Sequence, residues 1–160
     1  MSNFFNQYSF VLLSVALLFI AGLLLLTRKP KWNDYLAFVV ILGGLVLAWG
    51  LLHPRQTELT RGSQEVQEMI GAGAPVLLEF QSPYCMACAT IRPSVDALER
   101  ELAGQVHVIR LNIQDPVGRE LTSIYGFEFT PTFIYFDAEG NEVWRQVGSL
   151  DAQQVRDALK

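Results

Sequence analysis

Ser82-Pro83-Tyr84-Cys85-Met86-Ala87-Cys88 holds the only two cysteines of the 160-residue chain and sets them three residues apart. If this stretch opens a helix, the i, i+3 spacing puts both sulfurs on one face near the helix N-terminus, within reach of a disulfide. That terminus carries partial positive charge and unpaired backbone N–H groups, which stabilise a thiolate. Cys85 is then the attacking sulfur, and Cys88, one turn deeper, resolves the mixed disulfide. Two cysteines also fit a structural disulfide, or half of a metal site completed by a second chain. The structural disulfide is the weakest of these readings, because a C-x-x-C loop closes very little chain entropy.

Immediately upstream, Pro75 admits a strand, Val76-Leu77-Leu78-Glu79-Phe80-Gln81, nearly continuous in apolar residues except for its one acid, as a buried central strand is. Before it, Ser63 caps a short helix to about Ile70, stopped by Gly71 and Gly73. Downstream, Ile91, Val95, Leu98 and Leu102 repeat at helical spacing, predicting a helix from Cys85 to about Ala103, kinked at Pro93 and ended by Gly104. Val106 to Asn112 is the next strand, and Asp115-Pro116 supplies the cap and first residue of a helix to about Tyr125. Thr132 to Phe136 turns through Glu139-Gly140-Asn141 to pair with Glu142 to Val147 as a hairpin, and Ser149 caps a closing helix to Leu159. The order α-β-α-β-α-β-β-α predicts an α/β fold with a parallel pair made by a right-handed crossover and an antiparallel edge.

The N-terminal third is different. Residues 8–26 and 35–52 are apolar runs without a charged side chain, each about 27–28 Å long as a helix against a hydrocarbon core of ~30 Å. MSNFFNQ ahead of them lacks the basic segment of a secretory signal, so a retained anchor of two transmembrane helices over residues 1–52 is expected. The loop between the runs carries Arg28, Lys29 and Lys31. The positive-inside rule therefore puts it in the cytoplasm and both termini outside, partly opposed by Arg55 and Arg61. Tyr8, Trp32, Tyr35 and Trp49 sit near the run ends as interfacial anchors. Gly43, Gly44, Ala48 and Gly50 form a small-residue face suited to packing between the spans or against another membrane protein. Residues 53–62, HPRQTELTRG, predict a polar tether, leaving 63–160 as the domain. A formal net charge of −4 and no basic cluster in that domain argue against nucleic acid as a partner. His53 and His107 are expected to be surface or packing residues.

Over residues 63–160 the chain resembles the thioredoxin family. Cys85-Met86-Ala87-Cys88 stands at the family's motif, Glu79 at the buried acid six residues before it, and Pro93 at the helix-kinking proline. Arg110 stands at the basic residue of the next strand, Thr130-Pro131-Thr132 at the cis-proline loop, and Gly148 at the late glycine. The resemblance implies a thioredoxin-like fold, a central mixed sheet flanked by helices, and a thiol–disulfide oxidoreductase acting on protein disulfides and dithiols without a cofactor or metal. It implies catalytic roles for Cys85, Cys88, Glu79 and Pro131. Glu79, if buried, has a raised pKa and takes the proton of Cys88. Main-chain groups of Thr130 would hold a substrate strand, and Tyr84, Met86 and Phe129 would form an apolar collar around Cys85 that either docks a protein or simply packs.

Tyr84 replaces the family's usual tryptophan, and Met86-Ala87 replaces Gly-Pro. The dipeptide tunes a potential that ranges from about −270 to about −120 mV among related enzymes, roughly 7 kcal/mol. A small residue before the second cysteine resembles the extracytoplasmic reducing domains more than the strong oxidases. The expectation is a membrane-anchored protein-disulfide reductase of exported thiols, such as cytochrome c haem-site cysteines, supplied with electrons by a transmembrane partner. A disulfide-forming oxidase, or a non-enzymatic adaptor using the fold as a binding module, is the alternative.

Overall fold

The computed structural model describes residues 2–27, 30–52 and 55–159. Arg28 and Lys29 of the basic loop, and His53 and Pro54 of the tether, lie outside the described residues. A six-residue helix α1 (Ser2–Gln7) leads into α2 (Ser9–Thr27), followed by α3 (Trp32–Leu52). Both long helices are apolar enough to cross a membrane, with mean hydropathies of 2.8 and 2.0. They pack as a hairpin and leave their leucines and valines uncovered, with Phe19 70% and Leu26 86% exposed. A Cβ added at Gly43, Gly44 or Gly50 would meet nothing within 4 Å, so these glycines are not what brings α2 and α3 together. Trp32, Tyr35 and Trp49 are exposed, but Tyr8 is turned onto the domain, its ring stacked on Tyr84 at 5.5 Å.

The remaining elements are α4 (Ser63–Met69), β1 (Val76–Gln81), α5 (Met86–Glu101), β2 (His107–Asn112), α6 (Pro116–Tyr125), β3 (Thr132–Phe136), β4 (Glu142–Val147) and α7 (Ala152–Asp157). The strands form one mixed sheet in the order β2-β1-β3-β4. β1 pairs parallel to β2 and antiparallel to β3, and β3 and β4 form the expected hairpin. All six residues of β1 are buried, as its apolar run requires of a central strand. Alternation sends Val76, Leu78 and Phe80 to one face, where they pack with Ile109, Leu111, Leu121 and Ile134. Leu77 goes to the other, against Val95, Leu98, Phe133, Tyr135 and Val155. That second face, covered by α5, is also the one toward which Glu79 and Arg110 point.

Several local expectations are corrected. Ser63 is the first residue of α4 rather than its cap. Gly62 occupies the cap position, and Glu65 reaches back to the N–H groups of Thr60 and Arg61 at 2.7 and 3.0 Å. Asp151, not Ser149, caps α7, accepting from the N–H groups of Gln153 and Gln154. Asp115 precedes Pro116 at the start of α6 but makes no side-chain capping bond. The segment expected to be a free tether engages the domain. Thr57 N–H donates to the Arg110 carbonyl at 3.0 Å, Arg110 N–H donates to Thr57 Oγ1 at 2.9 Å, and Leu59 packs on the core. The open edge of β2 has unpaired backbone groups, and the tether satisfies them. His107 is exposed at the start of β2.

Candidate redox site

β1 ends at Gln81, and the chain turns through Ser82 to Tyr84 into α5, with Cys85 as the N-cap residue. Backbone φ and ψ of −93° and 119° at Cys85 let its side chain fold over the first turn, where Sγ accepts the Cys88 N–H at 3.3 Å. The two cysteines are free thiols in this state. Cys85 Sγ also lies 3.5 Å from the Thr130 carbonyl oxygen, to which its thiol donates. Thr130 precedes Pro131 through a cis peptide bond, and both residues are buried.

The two sulfurs are chemically unequal. The hydrogen bond from the Cys88 side chain, helped by one from Thr130 and by the N–H groups of Cys88 and Ala87, outweighs burial and lowers the Cys85 pKa from 9.0 to about 6. Burial, the hydrogen bond to Cys85 and the charge there push the Cys88 thiol up. An ionised outer sulfur beside a protonated inner one is the arrangement that nucleophilic attack followed by resolution needs.

Glu79 lies in the middle of β1, 2% exposed, and burial raises its pKa from 4.5 to about 7 against the opposing pull of Arg110. Arg110, opposite Glu79 in the parallel register, directs Nη1 to Asp96 at 2.5 Å and Nη2 to Glu99 at 2.7 Å. Asp96 and Glu99 are three apart on α5 and so share a face, a spacing visible in the sequence though not assigned there. Of the expected collar, Tyr84 is half-buried beneath Tyr8, Met86 is 37% exposed and Phe129 is half-buried. The Phe129 carbonyl accepts from Thr132 Oγ1 at 2.5 Å.

The structure also brings to this site residues that no sequence pattern marked. Asn6 Oδ1 accepts the Thr130 N–H at 2.8 Å and its Oγ1–H at 2.9 Å, and Asn6 Nδ2 donates to the Thr130 carbonyl at 3.0 Å. Ser82 Oγ donates to the Gln7 carbonyl at 3.0 Å, Phe10 N–H to the Tyr84 carbonyl at 3.0 Å, and Met86 N–H to Ser9 Oγ at 3.0 Å. At the end of α3, Arg92 of α5 donates to the Leu51 carbonyl at 3.2 Å.

A mixed sheet with a helix-capping dithiol facing a cis-proline loop defines an α/β protein of the thiol–disulfide class. Residues 63–160 match the thioredoxin-like domain family, and the chain belongs to it. It is similar to the chloroplastic thioredoxin-like protein HCF164 of Arabidopsis thaliana, 29% identical over 98 residues that are 61% of this chain and 38% of that protein. It is also similar to thioredoxin of Haemophilus influenzae, 31% identical over 87 residues, 54% of this chain and 78% of that one. Thus the chain spans only about 38% of the HCF164 proteins it matches, while it spans most of the shorter thioredoxins. The solved thioredoxin of Fasciola hepatica shares the fold, with a TM-score of 0.51 over 61% of this chain and 90% of its own at 23% identity.

Proposed function

We propose that the chain is a membrane-anchored protein-disulfide reductase whose redox domain stands outside the cytoplasm. The observation that carries this reading is the Cys85 sulfur at the start of α5, accepting the Cys88 N–H at 3.3 Å and facing the cis-proline loop at Thr130, a placement that lowers its pKa to about 6. The Cys85 thiolate attacks one sulfur of a partner disulfide, forming a mixed disulfide and releasing the partner's first thiolate, which takes a proton from water. Cys88 then gives its proton to Glu79 and attacks Cys85 Sγ, expelling the partner's second thiolate. The partner gains two electrons and the chain is left with a Cys85–Cys88 disulfide. The Thr130 main chain beside Cys85 is the reading's substrate-strand site, with Pro131 shaping the loop and Tyr84, Met86 and Phe129 bordering it.

In this reading residues 1–52 are the anchor, 53–62 the connection and 63–160 the redox domain. Support comes from the two apolar helices and from the bonds that hold the start of α2 and the end of α3 to the same domain, with Lys31 at the opposite end of the hairpin. Renewed reduction calls for a dithiol donor, for which a transmembrane protein packed on the uncovered Gly44 face is the proposed source. Cys88→Ser tests the exchange, since it should trap partner proteins on Cys85 as mixed disulfides, and a variant that traps none argues against it. A redox titration tests the direction: a potential near about −270 mV supports a reductase, and one near about −120 mV an oxidase.

A further inference from the structure

Asn6 faces Thr130 as a peptide group of a neighbouring strand would. A carboxamide carries one C=O and one N–H₂, the same acceptor and donor as a backbone amide, and Asn6 uses both on one residue: it takes the Thr130 N–H at 2.8 Å and gives to the Thr130 carbonyl at 3.0 Å. This two-way closure is one rung of an antiparallel ladder, made by a side chain. The Thr130 carbonyl that Asn6 occupies is the one 3.5 Å from Cys85 Sγ.

Two neighbours of Asn6 in sequence extend the contact around the sulfur. Phe10 bonds the carbonyl of Tyr84 and Ser9 bonds the N–H of Met86, the residues on either side of Cys85. Tyr8 stacks on Tyr84 with its hydroxyl on Gln114 Oε1 at 3.1 Å. The Met86 N–H is one of the donors that a helix start leaves unpaired, so Ser9 takes a group a ligand would otherwise use. In this arrangement Cys85 is 3% exposed, although its pKa of about 6 marks it as the reactive sulfur.

We propose that residues 6–10 are a built-in occupant of the substrate-strand site, and that a partner disulfide reaches Cys85 only by displacing Asn6 from Thr130. The same groups serve both occupants, so cap and substrate exclude one another. Because Ser9 begins the first apolar helix, the cap is tied to the anchor and its release is coupled to movement of the domain against that helix. A partner that binds the ends of α2 and α3 would free the site, and a soluble disulfide protein would meet it closed. The inference rests on the exchange chemistry proposed for Cys85, but its test does not.

The test is the rate at which iodoacetamide alkylates Cys85 in the reduced full-length protein in detergent micelles, followed across pH by mass spectrometry. Asn6→Ala removes three hydrogen bonds to Thr130 and Ser9→Ala one to Met86. A cap predicts that Asn6→Ala raises the high-pH plateau rate at least about tenfold. Ser9→Ala should raise it by a smaller factor, with the midpoint of the profile staying near that of the wild type in both. Plateau rates in both variants equal to the wild type would overturn the cap. Insulin reduction by the same samples separates the two readings. Faster alkylation without insulin reduction in any sample leaves the cap and removes the exchange activity, whereas insulin reduction with unchanged alkylation does the reverse.

Discussion

Arg110 Nε lies 3.6 Å from Glu79 Oε2 inside the domain, with the two side chains 5% and 2% exposed. Neither atom has a hydrogen-bond partner among the described residues, because the guanidinium has turned its Nη groups to Asp96 and Glu99. The Arg110 guanidinium therefore faces three carboxylates, of which Asp96 also has Arg92 Nε at 3.7 Å. Glu79 receives the smallest share, and that is why burial prevails and its pKa stays at about 7 instead of falling below the usual carboxylate range.

Glu79→Gln should make the protein more stable at pH 8 than at pH 4 relative to the wild type. The folded pKa of Glu79 is raised, so its contribution is fully present below 4.5 and is lost as pH rises through about 7. The shift from 4.5 to about 7 corresponds to about 3 kcal/mol. A glutamine does not ionise, so the difference in unfolding free energy should change by about that amount between the two pH values. Urea unfolding at both measures it, and a difference that does not vary with pH would mean that the Glu79 pKa is the same in the folded and unfolded protein. Under the proposed relay, in which Glu79 takes the Cys88 proton, resolution of the mixed disulfide should also slow.

Arg110→Met should cost about 3 kcal/mol at pH 8, because it leaves Asp96 and Glu99 without their shared cation and Glu79 without any opposing charge. The loss should be smaller at pH 4, where a carboxyl raised to about 7 is protonated and Glu79 needs no cation. Arg110→Lys should recover only part of it, since a single ammonium cannot reach Asp96 and Glu99 with the fork geometry of a guanidinium. Thermal unfolding of the three proteins at the two pH values distinguishes this network from a simple packing role for Arg110, for which the methionine variant would show no pH dependence.

Gly118→Ala should destabilise the domain by about 3 kcal/mol through overpacking. A Cβ there would sit 2.0 Å from the Asn112 carbonyl oxygen and 2.6 Å from its carbon, and the end of β2 cannot yield as a flexible side chain would. Gly44→Ala is the contrasting case. Its Cβ would meet nothing within 4 Å, so the purified chain should keep its melting temperature, and a loss of reduction in whole membranes would place a partner helix on that face.

The sheet was legible because each strand carries its own signal. The apolar run of β1 demanded burial on both faces, and the turn at Glu139-Gly140-Asn141 set the hairpin whose register pairs Phe133 with Gln146. The spacing showed the paired cysteines, and the residues that resemble the thioredoxin family around them favoured a redox pair over a structural disulfide or half a metal site. Caps were less legible, because Ser149 and Asp151 are both good capping residues and only the direction of the chain leaving β4 decides between them. Asn6, Tyr8 and Ser9 gave no sign of reaching the site. Their contacts join residues 76 to 124 positions apart, and no periodicity within MSNFFNQYSF encodes which surface the segment will meet. Thr57 was hidden for the same reason: a polar stretch with Pro54 and Gly62 has the composition of a linker whether or not a sheet edge is waiting for it.

Cys88→Ala should raise the ionisation midpoint of Cys85 from about 6 toward the ordinary thiol value of 9.0, because the side-chain hydrogen bond from Cys88 is the foremost cause of the depression. The N–H groups of Cys88 and Ala87 survive the substitution, so the midpoint should stop short of that value. Cys88→Ser keeps an O–H donor in place and should leave the midpoint lower than the alanine variant does. A depressed thiol pKa stabilises the reduced protein above the unfolded value of 9.0, and that stabilisation is lost as pH falls through about 6. In the alanine variant the stabilisation should therefore be smaller and its loss complete at higher pH. Thiolate ultraviolet absorbance measures each midpoint, and equal midpoints in the alanine and serine variants would assign the depression to the backbone N–H groups of the helix start instead of to Cys88.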